Sequence, residues 1–340
     1  MVIPLKWADD EDLADMTGYL RFLTAVVHEV IVVDGSPSRL YRTHARAWRG
    51  LGVRHLPPAG VPCANGKVAG VRAGVVAAAH EKVVIADDDV RYDPASLAQV
   101  SRLLDRAHLV RPQNYFDPLP WHAVWDTGRI LLNRSLGHDY PGTLGLRRSA
   151  LLRLGGYDGD TLFENLELIR TIRAGGGIEA RAAGLYVRRL PPRASRFWSQ
   201  RPRQAYDDTA QPVRMALFLA VAPSTVLAAS TAPGLVLAGV VGVVLLAESG
   251  RRRAGGRKVF PARASLLAPW WVLERAVLAW PALAAWSTGT GVRYAGSRLT
   301  VAAHSPRLLR RSRRAAPALG FPRGVEADLL VRTVAEGADG

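Results

Sequence analysis

Lys82-Val83-Val84-Ile85-Ala86-Asp87-Asp88-Asp89 opens on a lysine, runs through apolar residues and ends in three carboxylates. A strand with one wet face alternates apolar and polar residues; this one does not, so it reads as a strand buried on both faces, as in a parallel sheet covered by helices. Outward from it, Val2-Ile3-Pro4-Leu5 and Glu29-Val30-Ile31-Val32-Val33 have the same character, the second ending at Asp34-Gly35-Ser36. Before Lys82, Val68 to His80 reads as a small-residue helix that can lie close to the sheet. This alternation, continuing to about residue 190, predicts an α/β domain with a mainly parallel, Rossmann-like sheet. Ligands in such sheets bind beyond the carboxyl ends of the strands, and the aspartates fall there.

The chain has 340 residues and a formal charge of +16. Many basic residues stand beside apolar stretches: Arg251, Arg252, Arg253, Arg257 and Lys258, then Arg307, Arg310, Arg311, Arg313 and Arg314. Cytoplasmic flanks of membrane segments have that placement, so no nucleic-acid partner is expected. Cys63 is the only cysteine, which leaves no intramolecular disulfide and no cysteine-built zinc site. The first residues show no apolar signal segment or cleavage site. A reducing, cytoplasmic catalytic domain at a bacterial cell membrane is the expectation.

Met215 to Ala247 is almost uninterrupted in apolar residues, with Pro233-Gly234 near its middle. At about 1.5 Å per residue one helix of that length overshoots a hydrocarbon core of about 30 Å. Two spans, about 213–231 and 234–247, fit better. A third apolar segment, about 266–288, carries Glu274 and Arg275 in its middle, together with Trp270, Trp271, Trp280 and Trp286. It reads as a third crossing or as a helix lying in the interface, where tryptophan is favoured. The expected organisation is a catalytic domain at 1–205, a membrane region at 212–290 and a basic cytoplasmic tail at 291–340.

Asp87 and Asp89, two apart at a strand end, can point to the same side and share a hard divalent cation such as Mg²⁺, whose remaining ligands are commonly waters and phosphates. An acidic triplet can equally cap a strand in solvent. Asp34 can accept hydrogen bonds from a base or ribose, although Asp-Gly after a strand also reads as a plain turn. Asn65-Gly66-Lys67 offers a flexible loop with a lysine near the same edge, a phosphate contact or an ordinary loop residue.

The order of these pieces resembles the family 2 glycosyltransferases of the GT-A fold over roughly residues 1–205: Val-Ile-Pro-Leu at 2–5, Val-Ile-Val-Val-Asp-Gly-Ser at 30–36, Gly-Lys at 66–67 and Ile-Ala-Asp-Asp-Asp-Val at 85–90 followed by Asp93-Pro94. Gly155-Gly156-Tyr157-Asp158 and Phe163-Glu164-Asn165-Leu166-Glu167-Leu168 also have counterparts there. The resemblance implies a nucleotide-sugar site of Pro4, Asp34, Lys67, Asp87 and Gln200, with Asp87 and Asp89 on Mg²⁺ or Mn²⁺ and a UDP- or GDP-sugar as donor. Where the family has an acidic pair this chain has Glu164-Asn165, and an amide takes no proton, so Glu164 is the first candidate for general base and Glu167 the second. Gln200-Arg201-Pro202-Arg203-Gln204 is similar to the family's Gln/Arg-x-x-Arg-Trp motif and makes Arg203 a candidate for stabilising the leaving diphosphate. Gly291 to Arg298 is similar to a short Arg-aromatic segment expected to return against the catalytic domain. The implied reaction transfers a hexose to a lipid-linked or glycan acceptor at the membrane. The alternative is a catalytically inactive scaffold that binds nucleotide sugars.

Overall fold

The computed structural model describes residues 1–60, 62–294 and 296–312; Arg313, Arg314 and the rest of the expected tail lie outside the described residues. The first half alternates as the apolar runs predict: β1 (Val2–Leu5), α1 (Leu13–Val26), β2 (Val30–Asp34), α2 (Ser38–Ala47), β3 (Val53–Leu56), α3 (Gly66–Ala77) and β4 (Lys82–Ala86). There follow β5 (Val90–Arg91), α4 (Pro94–Leu103), β6 (Leu109–Phe116), α5 (Trp121–Leu136), β7 (Thr143–Arg147), α6 (Arg148–Arg153), α7 (Glu164–Ala174), β8 (Glu179–Arg189) and α8 (Ala194–Tyr206). The eight strands form one sheet in the order β3-β2-β1-β4-β7-β6-β8-β5. It is parallel from β3 to β4, and β7 then runs antiparallel to both β4 and β6. This is a mixed α/β fold with a sheet rich in parallel pairs.

β1 and β2 are buried along their whole length, as their unalternating sequences require. β2 starts one residue later than expected and takes in Asp34. α3 starts at Gly66, earlier than the apolar pattern suggests, because Asn65 is its N-cap: the side-chain oxygen accepts from the Lys67 N–H at 3.1 Å. The expected flexible loop at 65–67 is therefore a cap and a first turn, and Lys67 is held rather than loose. α3 lies so close to the sheet that a Cβ at Gly74 would come within 2.3 Å of Val2 Cγ1.

Beyond a short 3₁₀ turn at Asp207–Ala210 come α9 (Pro212–Thr231), α10 (Pro233–Arg252) and α11 (Ala262–Ser287). The chain breaks at Ala232-Pro233, where two spans were expected to meet. α9, and α10 with its continuation to Lys258, are long and apolar enough to cross a membrane, with hydropathies of 1.6 and 1.8. α11 differs. Its face of Ala264, Ala268, Trp271, Arg275, Ala279 and Ala282 is buried, while Leu266, Trp270, Leu273, Val277 and Trp280, alternately four and three apart, form an exposed apolar stripe.

α5 of the first domain shares a core with α10 and α11, built from Val124, Leu131, Ala247, Ala268 and Trp271 among others. The approach is close: a Cβ at Gly250 of α10 would sit 2.0 Å from the Leu131 carbonyl oxygen. Charges lock the same joint. Arg201, fully buried on α8, donates to Glu274 Oε1 at 2.6 Å and to Asp126 Oδ1 at 2.9 Å. Arg275 approaches Asp208 at 3.4 Å. The charges inside the third apolar segment thus face protein. After α11 the chain turns back through the hairpin β9 (Val292–Tyr294) and β10 (Ser297–Leu299) and ends the described region in α12 (Pro306–Ser312). Leu162 and Phe163 donate their N–H groups to the carbonyls of Val301 and Ala302, so the chain docks on the α/β domain just beyond the Gly291–Arg298 segment that was expected to return there.

Removing one member of a buried charge set leaves the others unpaired, which typically costs about 3–5 kcal/mol. Arg201→Ala should lower the unfolding midpoint of the full chain in detergent by several degrees, whereas Arg196→Ala, at an exposed position of the same helix, should leave it in place.

Candidate active site

β4 runs into Asp87, Asp88 and Asp89 at the carboxyl edge of the sheet. Lys67 brings its Nζ to 2.5 Å from Asp87 Oδ1 and donates to Glu164 Oε1, at the start of α7, at 2.6 Å. Arg189 ends β8, where the β5–β8 pairing sets it opposite Val90. Its Nε donates to Asp89 Oδ2 at 2.9 Å and its Nη2 to Asp87 Oδ2 at 3.3 Å. The Asp87 N–H donates to the Gly142 carbonyl at 2.8 Å. Any Cβ at position 142 would stand 2.5 Å from Asp87 Oδ2, so only glycine lets the loop after α5 close on the carboxylate. The structure thus brings together Lys67, Asp87, Asp89 and Glu164, and adds Arg189.

Burial alone would lower the Lys67 ammonium, but the Asp87 and Glu164 carboxylates hold it well above its ordinary range. Burial, aided by Asp87 and Asp88 and opposed by Arg189, pushes the Asp89 carboxyl up to about 6. Asp89 Oδ1 is buried and has no hydrogen-bond partner. An orphaned carboxylate oxygen beside further hard oxygen donors is donor chemistry that fits a divalent cation, which Asp87 and Asp89 would hold. Asp88 serves structure instead, accepting from Trp7 Nε1 at 2.6 Å. Asp93 caps α4 in a reciprocal pair with Ser96.

Asp34 departs from the expected nucleoside contact. Its carboxylate is buried and accepts from His44 Nδ1 at 2.6 Å, His55 Nε2 at 2.9 Å and the Ser36 N–H at 2.9 Å. Burial works to raise this carboxyl, yet the bonds from His55, Ser36 and His44 hold it well below the usual carboxylate range. Its oxygens are engaged inside the protein, and it shapes a cleft of about 410 Å³ whose other walls include Tyr41, Arg42, Pro57 and Pro58. The Tyr41 ring stacks on His55 at 4.3 Å. Pro4 is buried in β1 opposite Val33 and supports the strand end beneath this cleft.

Glu167 is also turned inward. It is fully buried, accepts from the His304 N–H at 2.7 Å and meets His304 Nδ1 at 3.1 Å, so it fastens the returning segment and is not placed to take a proton from an acceptor. Asn165 donates to the Pro141 carbonyl at 3.0 Å. On α8, Gln200 is half-buried, and Arg203 lies over the Tyr294 ring at 5.0 Å, so the hairpin carries an aromatic platform to that arginine. Trp121 and Trp125 sit on α5 beside Trp198, and the Trp125 indole N–H donates to Glu274 at 2.7 Å.

Two functional candidates escaped the sequence reading. Arg189 closes a strand of mixed small and basic residues that carries no chemical motif. Asp207 follows Arg203 by four residues, one helical turn, a spacing that was there to be read. One Asp207 oxygen is buried without a partner, and burial, opposed by Arg203 and reinforced by Glu164, pushes its carboxyl up to about 7.

No family model matches the chain, and no curated protein matches it in sequence. Among solved structures it is similar to the mannosyltransferase PcManGT from Pyrobaculum calidifontis in complex with GDP-Man and Mn²⁺, at 18% identity and a TM-score of 0.49 over 79% of this chain and 86% of that one. It is also similar to glucosyl-3-phosphoglycerate synthase from Mycobacterium tuberculosis in complex with Mn²⁺, UDP-glucose and phosphoglyceric acid, at 17% identity and a TM-score of 0.42 over 60% and 76% of the two chains.

Asp207 gives a pH signature. Below the ordinary aspartate pKa it is neutral both folded and unfolded. Between that value and about 7 only the unfolded chain ionises it, so folding stability falls as pH rises through this window and levels off above it. Asp207→Asn removes the effect. Its stability relative to the wild type should grow from pH 4 to pH 8 by about 2 kcal/mol, the shift being discounted for partial solvent access. Parallel thermal melts across pH measure it.

Proposed function

We propose that the protein is a metal-dependent glycosyltransferase that moves a hexose from a UDP- or GDP-sugar to a lipid-linked or cell-envelope glycan acceptor, working at the cytoplasmic face of a bacterial cell membrane. The observation that carries this reading is the meeting of Asp87, Asp89 and Glu164, from two separate elements, around Lys67 and Arg189, with one Asp89 oxygen left unpaired. Such a centre suits a diphosphate leaving group. Mg²⁺ or Mn²⁺ on Asp87 and Asp89 would supply Lewis-acid neutralisation of the charge that builds on the diphosphate. Lys67 and Arg189 are the chain's own cations at the same spot, and Arg203 adds a third on the side of α8. The cleft beside Asp34 is where the nucleoside fits, with Tyr41 and Arg42 in its wall and His55 stacked against Tyr41. Glu164 is the acid at the centre that can take the acceptor proton. Lys67 donates to it at 2.6 Å and fixes its carboxylate at the centre.

Two spanning helices followed by a helix with an exposed Leu-Trp-Leu-Val-Trp stripe support a catalytic domain held against the bilayer, α9 and α10 crossing and α11 lying in the headgroup region. That placement supports an acceptor confined to the same surface. One observation favours the alternative, a nucleotide-sugar-binding scaffold without turnover: the Lys67 ion pair occupies Glu164, and the neighbouring Asn165 is no substitute base.

Nucleotide release from UDP- and GDP-sugars by membranes bearing the full chain tests both. Expected is release from one donor that requires Mg²⁺ or Mn²⁺ and drops by about a hundred-fold or more in Asp89→Ala and in Glu164→Gln. Metal-dependent donor binding with no release, total membrane lipids being supplied as acceptor, would replace the transferase by the scaffold.

A further inference from the structure

A groove of about 920 Å³ opens between the catalytic domain and the feet of α9 and α10, and none of Lys67, Asp87, Asp89 or Glu164 lines it. One wall is basic: Arg111, Arg170, Arg173, Arg181, Arg214 and Arg310 all face it, and no carboxylate is among its lining residues. The nearest acids are shared out. Glu179 alone serves Arg111, Arg173 and Arg181, at 3.3, 3.7 and 3.4 Å, and Asp208 serves both Arg214 and Arg275. Arg170 spends its donors on the carbonyls of His304 and Ala210, and the nearby Glu167 carboxylate is itself taken up by His304. His138, also in the lining, reports the field: burial, with Arg111, Arg181 and Arg253, holds it down to about 4.

The other wall is apolar. It is made by Val213, Leu217 and Phe218 of α9 and by Val243 and Leu246 of α10. These residues lie within about 15 Å, at roughly 1.5 Å per residue, of the helix ends that meet the catalytic domain. They mark the level at which a bilayer's headgroups give way to its acyl chains.

We propose that this groove binds one anionic glycerophospholipid of the surrounding bilayer, its phosphate among the arginines and its acyl chains along α9 and α10, as a fixed lipid that seats the catalytic domain on the membrane. The proposal rests on the reading that α9 and α10 enter a bilayer. The complementary charge and the juxtaposed apolar wall select an amphiphile over a free anion, because inorganic phosphate would leave the apolar half unfilled. A zwitterionic headgroup would place a quaternary ammonium among cations, so the site discriminates by charge.

Arg173 and Arg310 are exposed and can be replaced without opening the core. The full chain, purified in detergent, is titrated with phosphatidylglycerol or phosphatidylcholine, and bound lipid is counted by native mass spectrometry. Wild type should retain phosphatidylglycerol at least about ten-fold better than phosphatidylcholine, and Arg173→Gln/Arg310→Gln should weaken phosphatidylglycerol by about thirty-fold while leaving phosphatidylcholine and the lipid-free melting temperature unchanged. Equal retention of the two lipids overturns the proposal. So does undiminished phosphatidylglycerol binding by the double variant, or its displacement by inorganic phosphate at matching concentration. Alkaline extraction of membranes separates this from the membrane reading beneath it: a chain washed off the bilayer ends both, whereas one that stays without preferring phosphatidylglycerol ends the lipid site alone. Nucleotide release is independent of either result.

Discussion

Three carboxylates, Asp87, Asp89 and Glu164, are drawn to one small region at the edge of the sheet, and their mutual repulsion sets the terms for everything around them. Two unit charges 4 Å apart interact by about 4 kcal/mol at an effective dielectric constant of 20. A cluster of three acids therefore forms only if cations are built in with it. Lys67 and Arg189 are those cations, and the local architecture can be understood as the means of delivering them. Asn65 caps α3 so that Lys67 leaves its first turn at a fixed angle. The β5–β8 pairing sets Arg189 at the far side of the same carboxylates. Glycine at 142 lets the loop after α5 close over Asp87 and accept its N–H without a Cβ meeting the carboxylate. A divalent ion and a diphosphate would meet an arrangement whose charges already alternate, so that binding exchanges partners within a preformed set.

The second dependence runs through the C-terminal half. α7 carries both Glu164, at the reacting edge, and Glu167, which is fixed by His304 of the returning segment. That segment follows α11, and α11 is held to the catalytic domain by Arg201, Glu274 and the shared core with α5. The position of the candidate base is thereby tied to the seating of the helical region. Burying Arg201, Glu274 and Asp126 together is a poor source of net stability, since their desolvation offsets most of the attraction. What such a set supplies is register: α11 can lie on α5 and α8 in one way only, because any sliding strands a buried charge.

How much of this the sequence disclosed follows from the distance over which each signal acts. β1, β2 and β4 were legible because strands buried on both faces leave continuous apolar runs, and Asp87 and Asp89 because their spacing is local. The break at Pro233 and the lengths of α9 and α10 were legible for the same reason. Asp34 looked like a ligand contact because its partners, His44 and His55, reach it only through the α2 crossover and the β2–β3 pairing. Glu274 and Arg275 looked like charges at a lipid interface because Arg201 and Asp208, which pair with them, belong to elements far earlier in the chain. Arg189 had no local signature at all; a basic residue ending a half-buried strand becomes chemical only when the sheet order sets it beside Asp89. Asp207 was the one local signal passed over, one helical turn beyond Arg203.

The helical region and the α/β domain are consequently better regarded as one mechanical unit than as two bodies on a tether. A flexible tether would leave the carboxylate edge free to turn relative to the helices. Here α5 is gripped by α10 and α11 through backbone contacts too close for any side chain at Gly250. The exposed stripe on α11 and the exposed apolar flanks of α9 and α10 are thereby fixed in orientation relative to the sheet. The hairpin that follows places Tyr294 under Arg203, so an element whose position is set by these helices contributes directly to the candidate site. The contacts that seat the helical region therefore also set the surroundings of the carboxylate edge, through Arg203 on one side and Glu167 with His304 on the other.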